Sequence, residues 1–158
     1  MDPASRFVIA VFDEWSALRA VLEELKGRGV GLRGAVLFAR EDDCGMGHAA
    51  GTAEVISAFL AETTELPFAI PTQKVRCTSG VLAQSLVARS AGGAQRLAGA
   101  LGAWISREHA NALQRHLEVG RLVLWLEIAR PRDLEVVCGH LVQKSPHVVG
   151  MCSVEASA

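Results

Sequence analysis

Few side chains in this sequence have the types and the spacing that chemistry at a protein site requires. Cys44 and His48 come closest, because they lie four residues apart in a glycine-rich segment and would offer a soft metal ion a thiolate and an imidazole. Two ligands do not complete a metal site, and the sequence contains no CxxC pair. We therefore predict a flexible loop at this segment and no bound metal.

Other candidate pairs have simpler structural interpretations. Cys44 and His109 would make a nucleophile and its base, but nothing in the sequence brings them together. Cys138 and His140 cannot bind one ion from a regular helix, because residues two apart point to nearly opposite sides. The histidines expected at the surface are His109, His116 and His147, and the tryptophans expected in the core are Trp15, Trp104 and Trp125.

Several widespread catalytic motifs are missing from the sequence. It contains no Walker-type phosphate loop, no HExxH zinc-protease motif and no GxSxG hydrolase motif. We predict that the protein is not an enzyme and that it has no catalytic residue, no cofactor-binding residue and no cofactor.

Composition argues against two classes of partner. The 158 residues include 16 basic and 17 acidic side chains, so the net charge of -1 gives no reason to expect nucleic acid or an anionic membrane surface. Arg89 and Arg96 interrupt the most apolar region, which leaves no run of about 18 uncharged residues for a membrane span. The four cysteines are scattered and no signal segment opens the chain, so we expect a cytoplasmic protein.

The order strand, helix, strand occurs twice. In the first unit an apolar strand at residues 7–12 precedes Asp13, which is expected to cap a helix, and a second strand follows at 35–39. In the second unit the strands are expected at 122–126 and 148–154. Apolar residues at helical spacing mark the intervening helices; they are Leu18, Val21, Leu22 and Leu25 in the first unit and Leu134, Val137, Cys138 and Leu141 in the second.

Two such units predict an α+β fold, the ferredoxin-like plait with a four-stranded antiparallel sheet and two helices on one face. We expect one domain over residues 1–158, with βαβ units at 6–43 and 121–155. The residues between them, 44–120, are expected to form a mainly helical insertion, with a rigid apolar loop at 66–71, a helix that Ser79 caps and a last helix that begins at Ser106.

The central strands are apolar on both faces, because residues 7–12 and 122–126 do not alternate with polar side chains. A face without helices would then need a cover. A second copy of the chain would cover it in a homodimer, which we predict because two-fold dimers are the commonest assemblies. The competing account places the helix that carries Val55, Ile56, Phe59 and Leu60 over that face within one chain.

The chain resembles the bacterial YflT-like heat-induced or general stress proteins. The segments that carry the resemblance are residues 7–43, 100–110 and 118–124, which share the family's pattern of strands, helices and glycines. The resemblance implies a ferredoxin-like plait with a long Gly/Ala-rich middle tract and a non-catalytic role in the stress response. Here the middle tract is shorter and carries Arg89 and Arg96, so the resemblance does not extend to a membrane-associated role.

Two functions from different classes follow from these observations. The first is a non-catalytic stress-associated interaction or assembly protein. The second is a small-molecule-sensing regulatory module that binds its ligand between the sheet and the inserted helices. A pocket with convergent polar groups would favour the second, whereas a filled interface at that place would favour the first.

Overall fold

The strands of this protein form one open sheet. The computed structural model describes residues 5–44, 54–71, 73–93, 95–145, 147 and 150–154. Its six strands are β1 (Ser5–Phe12), β2 (Val36–Arg40), β3 (Thr63–Ile70), β4 (Gln73–Thr78), β5 (Leu122–Glu127) and β6 (Gly150–Val154). They lie in the order β3-β4-β2-β5-β1-β6, and every neighbouring pair is antiparallel.

Helices connect most of these strands, except that β3 leads directly to β4, and three helices follow one another between β4 and β5. They are α1 (Trp15–Gly27), α2 (Glu54–Ala61), α3 (Val81–Ala91), α4 (Leu97–Leu101), α5 (Arg107–Glu118) and α6 (Asp133–Lys144). Ser106 caps α5 as the sequence predicts, because its Oγ accepts a hydrogen bond from the His109 N–H. The mixed α+β class is therefore confirmed. Across the described ranges, no helix combines the length and the apolar character that crossing a membrane requires.

The predicted four-stranded plait is wrong, because the sheet has six strands. The two additional strands come from the insertion, in which β3 and β4 form a hairpin that pairs with β2 through β4. Residues 66–71, expected as a rigid loop, form most of β3. Pro67 is tolerated there because β3 lies at the edge of the sheet, and the pairing of β3 with β4 is irregular between Leu66 and Ala69.

One face of the sheet, which we call the α1/α6 face, packs against the helices of the two βαβ units. Val8, Ala10 and Phe12 point toward this face and are at most 1% exposed. Helix α2 also packs here, since the rings of Phe59 and Trp15 lie 6.0 Å apart between centroids. The competing account, in which this helix covers the opposite face, is therefore wrong.

The opposite face, which we call the insertion face, is covered by α3, α4 and α5. Phe7, Ile9 and Val11 point toward it from β1, and they share one buried cluster with side chains of these three helices; that cluster includes Leu86, Leu101 and Leu113. Burial of each large apolar side chain contributes about 1.5–3 kcal/mol. The face that was expected to need a second subunit is thus covered within one chain. The homodimer itself stays a prediction, without this argument in its favour.

Candidate functional site

The segment of the candidate Cys44–His48 pair, at which we predict a flexible loop and no metal, falls largely outside the described residues, which include Cys44 but not His48. Cys44 is half-buried, and its Sγ donates a hydrogen bond to the Arg40 carbonyl oxygen at 3.5 Å. Burial raises the pKa of this thiol, so the thiolate that a metal ion requires is disfavoured. Throughout the described part of the chain, no three His, Cys, Asp or Glu side chains are arranged to hold a metal ion.

The other predicted pairs do not form sites. None of the hydrogen bonds, ion pairs or ring contacts between described residues joins Cys44 to His109, which lies in the exposed first turn of α5. Cys138 packs against the core of the α1/α6 face. His140 lies beside that core, with its Nδ1 buried without a hydrogen-bond partner and 4.0 Å from a carboxylate oxygen of Glu24.

Two of the histidines expected at the surface instead belong to a cluster of charges at one end of the sheet. Asp13 follows β1 and does not cap α1, whose N-cap is Glu14. The Asp13 Oδ1 accepts hydrogen bonds from the His147 Nε2 at 2.7 Å and from the Arg121 Nε at 2.9 Å. The Arg121 Nη1 donates to the Nδ1 of His116 at 3.1 Å. We call this cluster of Asp13, His116, Arg121 and His147 the paired end.

The electrostatics of the paired end are consistent with its geometry. The hydrogen bond from His147 lowers the pKa of Asp13 below its ordinary value, so the carboxylate is ionised. Burial, with the positive charges of His147, Arg121 and Arg115, lowers the pKa of His116. A neutral His116 accepts from Arg121, and its ring packs at a tilt of 43° against the ring of His147, with centroids 4.8 Å apart. Each of the four side chains of the paired end therefore has a partner within the cluster.

The opposite end of the sheet contains a cavity of about 830 Å³, which we call the sheet-end cavity. It lies where β1 and β2 begin and where β4, β5 and β6 end, and its size falls within the range of ligand pockets. The apolar part of its wall includes Phe7, Val36, Leu82, Leu134 and Val154. The charged side chains that line it are Arg6, Arg33 and Glu127.

These three charged side chains differ from those of the paired end. No hydrogen bond or ion pair joins the side chain of Arg6, Arg33 or Glu127 to another described residue. Two of the three hydroxyl groups at the cavity are engaged, since the Thr78 Oγ1 accepts from the Leu37 N–H at 2.9 Å. The Ser79 Oγ lies 2.8 Å from the Thr64 Oγ1 and does not cap α3 as expected. The charged groups and the Ser5 hydroxyl are thus available to a ligand.

Gly34 shapes one wall of the cavity. A Cβ atom at this position would lie 2.9 Å from the Cδ of Glu127 and even closer to its Cβ, so the side chain of Glu127 occupies the space above the glycine. Gly29, Gly31 and Gly34 have the GxGxxG spacing of dinucleotide-binding loops. They follow a helix and precede a strand, which is the reverse of the strand-to-helix order that such a loop needs, so the pattern does not indicate a dinucleotide site.

Sequence reasoning placed a ligand pocket between the sheet and the inserted helices, whereas the cavity lies at the end of the sheet. That interface is filled by the buried cluster of the insertion face. The cavity was missed because Arg6, Arg33 and Glu127 come from three separate segments and only the strand order brings them together.

Comparisons with known proteins do not assign the site. No protein-family model, no curated protein and no solved structure matches this chain. The resemblance to YflT-like stress proteins therefore stays a prediction, and the function has to be argued from the cavity itself.

Proposed function

We propose that this protein is a non-catalytic regulatory module that binds a small molecule in the sheet-end cavity. The observation that carries the proposal is the set of three charged side chains, Arg6, Arg33 and Glu127, which bond to no other described residue and line an otherwise largely apolar cavity. Apolar walls with a few oriented polar groups are typical of small-molecule sites, in which the walls provide affinity and the polar groups provide specificity.

A binding role agrees better with these charges than catalysis does. An Asp and His pair of the kind that enzymes use as a base occurs at the paired end, between Asp13 and His147. It lies at the end of the sheet opposite the cavity, and both side chains are bonded within a network of four residues. The cavity itself is lined by neither histidine nor cysteine.

The stress-associated assembly function and the cytoplasmic location stay predictions. The assembly hypothesis relied on an apolar sheet face in need of a cover, and α3, α4 and α5 now occupy that face. The cavity is the feature that distinguishes the two hypotheses, and it favours the binding module.

Two measurements test the proposal. Native mass spectrometry of the protein purified from its expression host should show a retained small molecule, or the purified protein should bind the neutral fluorescent probe N-phenyl-1-naphthylamine. Ala129→Trp should reduce probe affinity by about tenfold or more, because Ala129 lines the cavity and a bulky ring would occupy its space.

Ala20→Trp is the matched control, because Ala20 is exposed on α1 and does not line the cavity. It should leave probe affinity unchanged. The proposal fails if the protein retains no molecule and binds no probe, or if the Ala129→Trp variant binds the probe as the unmodified protein does.

A further inference from the structure

The charges of the sheet-end cavity alternate in sign across the ends of three neighbouring strands. Glu127 is the last residue of β5, which lies between β1 and β2. On one side its partner in the ladder is Phe7, the residue after Arg6. On the other side β2 pairs through Val36, and Arg33 lies just before that strand. Along this end of the sheet, the position of Glu127 thus lies between those of two exposed arginines. The Glu127 side chain shares the face of Phe7, whereas that of Arg6 projects from the opposite face at the strand end.

The three side chains do not neutralise one another. Salt bridges do form elsewhere at this end of the sheet, as between the Arg130 Nε and an Asp133 carboxylate oxygen at 2.9 Å. Arg6 and Arg33, in contrast, make no ion pair with Glu127 or with any other described residue. Glu127 is half-buried, and its side chain is held against Gly34. The separated charges are thus available to separate groups of a ligand.

We infer that the ligand is a zwitterion with an apolar body, of the class of the apolar amino acids. This inference rests on the proposed binding function and names its ligand. The Glu127 carboxylate would accept hydrogen bonds from the ammonium group, and a guanidinium of Arg6 or Arg33 would donate two hydrogen bonds to the carboxylate. The apolar side chain of the ligand would lie against Phe7, Val36 and Leu82.

Ligands of a single charge fit the cavity less well. A carboxylate without an ammonium group would bring a second negative charge beside the half-buried Glu127. An amine without a carboxylate would leave both guanidinium groups unused and add a third positive charge. A neutral apolar ligand would contact the walls but would pair none of the three charges.

Three probes of nearly the same shape separate these classes: L-leucine, 4-methylpentanoate, which lacks the amine, and 3-methylbutylamine, which lacks the carboxylate. Each should be titrated into the full-length protein by calorimetry at low ionic strength. L-leucine should bind about tenfold or more tightly than either analogue, because one hydrogen-bonded charge pair is lost with each.

Two variants test which residues bind the ammonium group and the carboxylate of the ligand. Glu127→Gln should weaken the binding of L-leucine by about tenfold and strengthen the binding of 4-methylpentanoate, because the amide removes the repulsion between carboxylates. The double variant Arg6→Gln and Arg33→Gln should remove the preference for L-leucine over 3-methylbutylamine. Arg107→Gln is the control, because Arg107 is exposed on α5 and does not line the cavity.

Equal affinities for the three probes, or an unchanged preference in Glu127→Gln, would overturn the inference. The failures of the two proposals are distinguishable. If N-phenyl-1-naphthylamine binds and Ala129→Trp blocks it while L-leucine shows no advantage, the cavity binds a ligand of another class. If neither N-phenyl-1-naphthylamine nor L-leucine binds and no molecule is retained, both proposals are wrong.

Discussion

The charged side chains are arranged differently at the two ends of the sheet. At the paired end, Asp13, Arg121, His116 and His147 form a connected network in which each side chain meets another. At the cavity end, Arg6, Arg33 and Glu127 line one cavity, and their side chains make no hydrogen bond or ion pair with one another. Charges that satisfy one another fix the local structure, whereas charges held apart leave binding capacity for a molecule from outside.

The same contrast extends to the connections of the sheet. Beyond the paired end, Ser145 lies just after α6 and binds the backbone of Val11: its Oγ donates to the Val11 oxygen at 2.6 Å and accepts from the Val11 N–H at 3.3 Å. Among the described residues β6 pairs with β1 as far as Ile9, and the Ser145 hydroxyl bonds both backbone groups of Val11, whose strand partner on the other side is Val123 of β5. At the cavity end, the Glu127 side chain at the end of β5 makes no hydrogen bond or ion pair with another described residue.

The largest effect is expected from truncations along α6, which runs from the cavity to the paired end. Leu141→Ala should lower the free energy of unfolding by about 2–5 kcal/mol, because Leu141 is fully buried. Leu134→Ala should cost about 1 kcal/mol or less, because Leu134 is only partly buried and lines the cavity. Urea denaturation measures both changes.

Val142→Ala is the control for this helix, because Val142 is 65% exposed, and its change should stay within about 0.5 kcal/mol. Equal losses from Leu134→Ala and Leu141→Ala would show that the cavity end is packed as well as the paired end. That result would contradict the expected difference in packing between the two ends of the sheet.

Ser145→Ala should produce the next largest loss, about 1–3 kcal/mol, because it leaves a buried N–H and a buried carbonyl of Val11 without a partner. The Val11 amide should also exchange its hydrogen faster. Ser153→Ala, at an exposed position of β6, provides the matched control and should change neither quantity. An unchanged stability of Ser145→Ala would mean that water replaces the hydroxyl and that this end is less closed than described.

The same substitution of an arginine at both ends compares them directly. Arg121→Gln should cost about 0.5–1 kcal/mol, because Arg121 is partly exposed and links Asp13 with His116. Arg6→Gln should stay within about 0.5 kcal/mol, because its side chain makes no internal bond to lose. Thermal unfolding at equal ionic strength checks the difference, and an equal loss at both positions would contradict it.

The smallest effect is the pH dependence of stability at the paired end. The pKa of His116 is lowered in the folded protein, so the unfolded chain binds the proton more readily. The resulting contribution to the free energy of unfolding is present above the unfolded pKa of 6.5. It is lost as the pH falls through 6.5 toward the lower pKa of the folded protein. The pKa of Asp13 is lowered from 3.8, so its contribution is lost only below that pH.

His116→Gln should therefore flatten the stability profile between about pH 7 and about pH 5, where an ordinary histidine titrates. The groups that face the imidazole are Arg121, Arg115, His147 and Asp13. A slope that persists in His116→Gln would assign the pH dependence to another group.

Much of the fold could be predicted from local patterns, because continuous apolar runs identify β1 and β5 and apolar residues at helical spacing identify α1 and α6. The hairpin of β3 and β4 was missed although its signal was present: Leu66, Phe68 and Ile70 are buried and alternate with exposed residues. Pro67 favoured a loop, and only the edge position of β3 makes a proline acceptable in this strand. Position in the sheet was the missing information.

The candidate site could not be predicted from the sequence. Arg6, Arg33 and Glu127 are unremarkable charged residues at the ends of predicted strands, and no motif connects them. Asp13 likewise has the sequence signature of a helix cap, and its partners Arg121 and His147 become neighbours only when β1 and β5 pair. Residues that become neighbours only through strand pairing leave no motif of short spacing in the sequence.

The position of β1 has a consequence for the synthesis of the protein. Of the six described strands, β1 is the first to leave the ribosome, but its two neighbours, β5 and β6, are the last of the six to be made. At about 5–20 residues per second, a nascent chain would expose the apolar side chains of both faces of β1 for several seconds before either neighbour exists. We expect that a ribosome-bound chaperone increases the soluble yield, and that refolding in vitro competes with aggregation as the protein concentration rises.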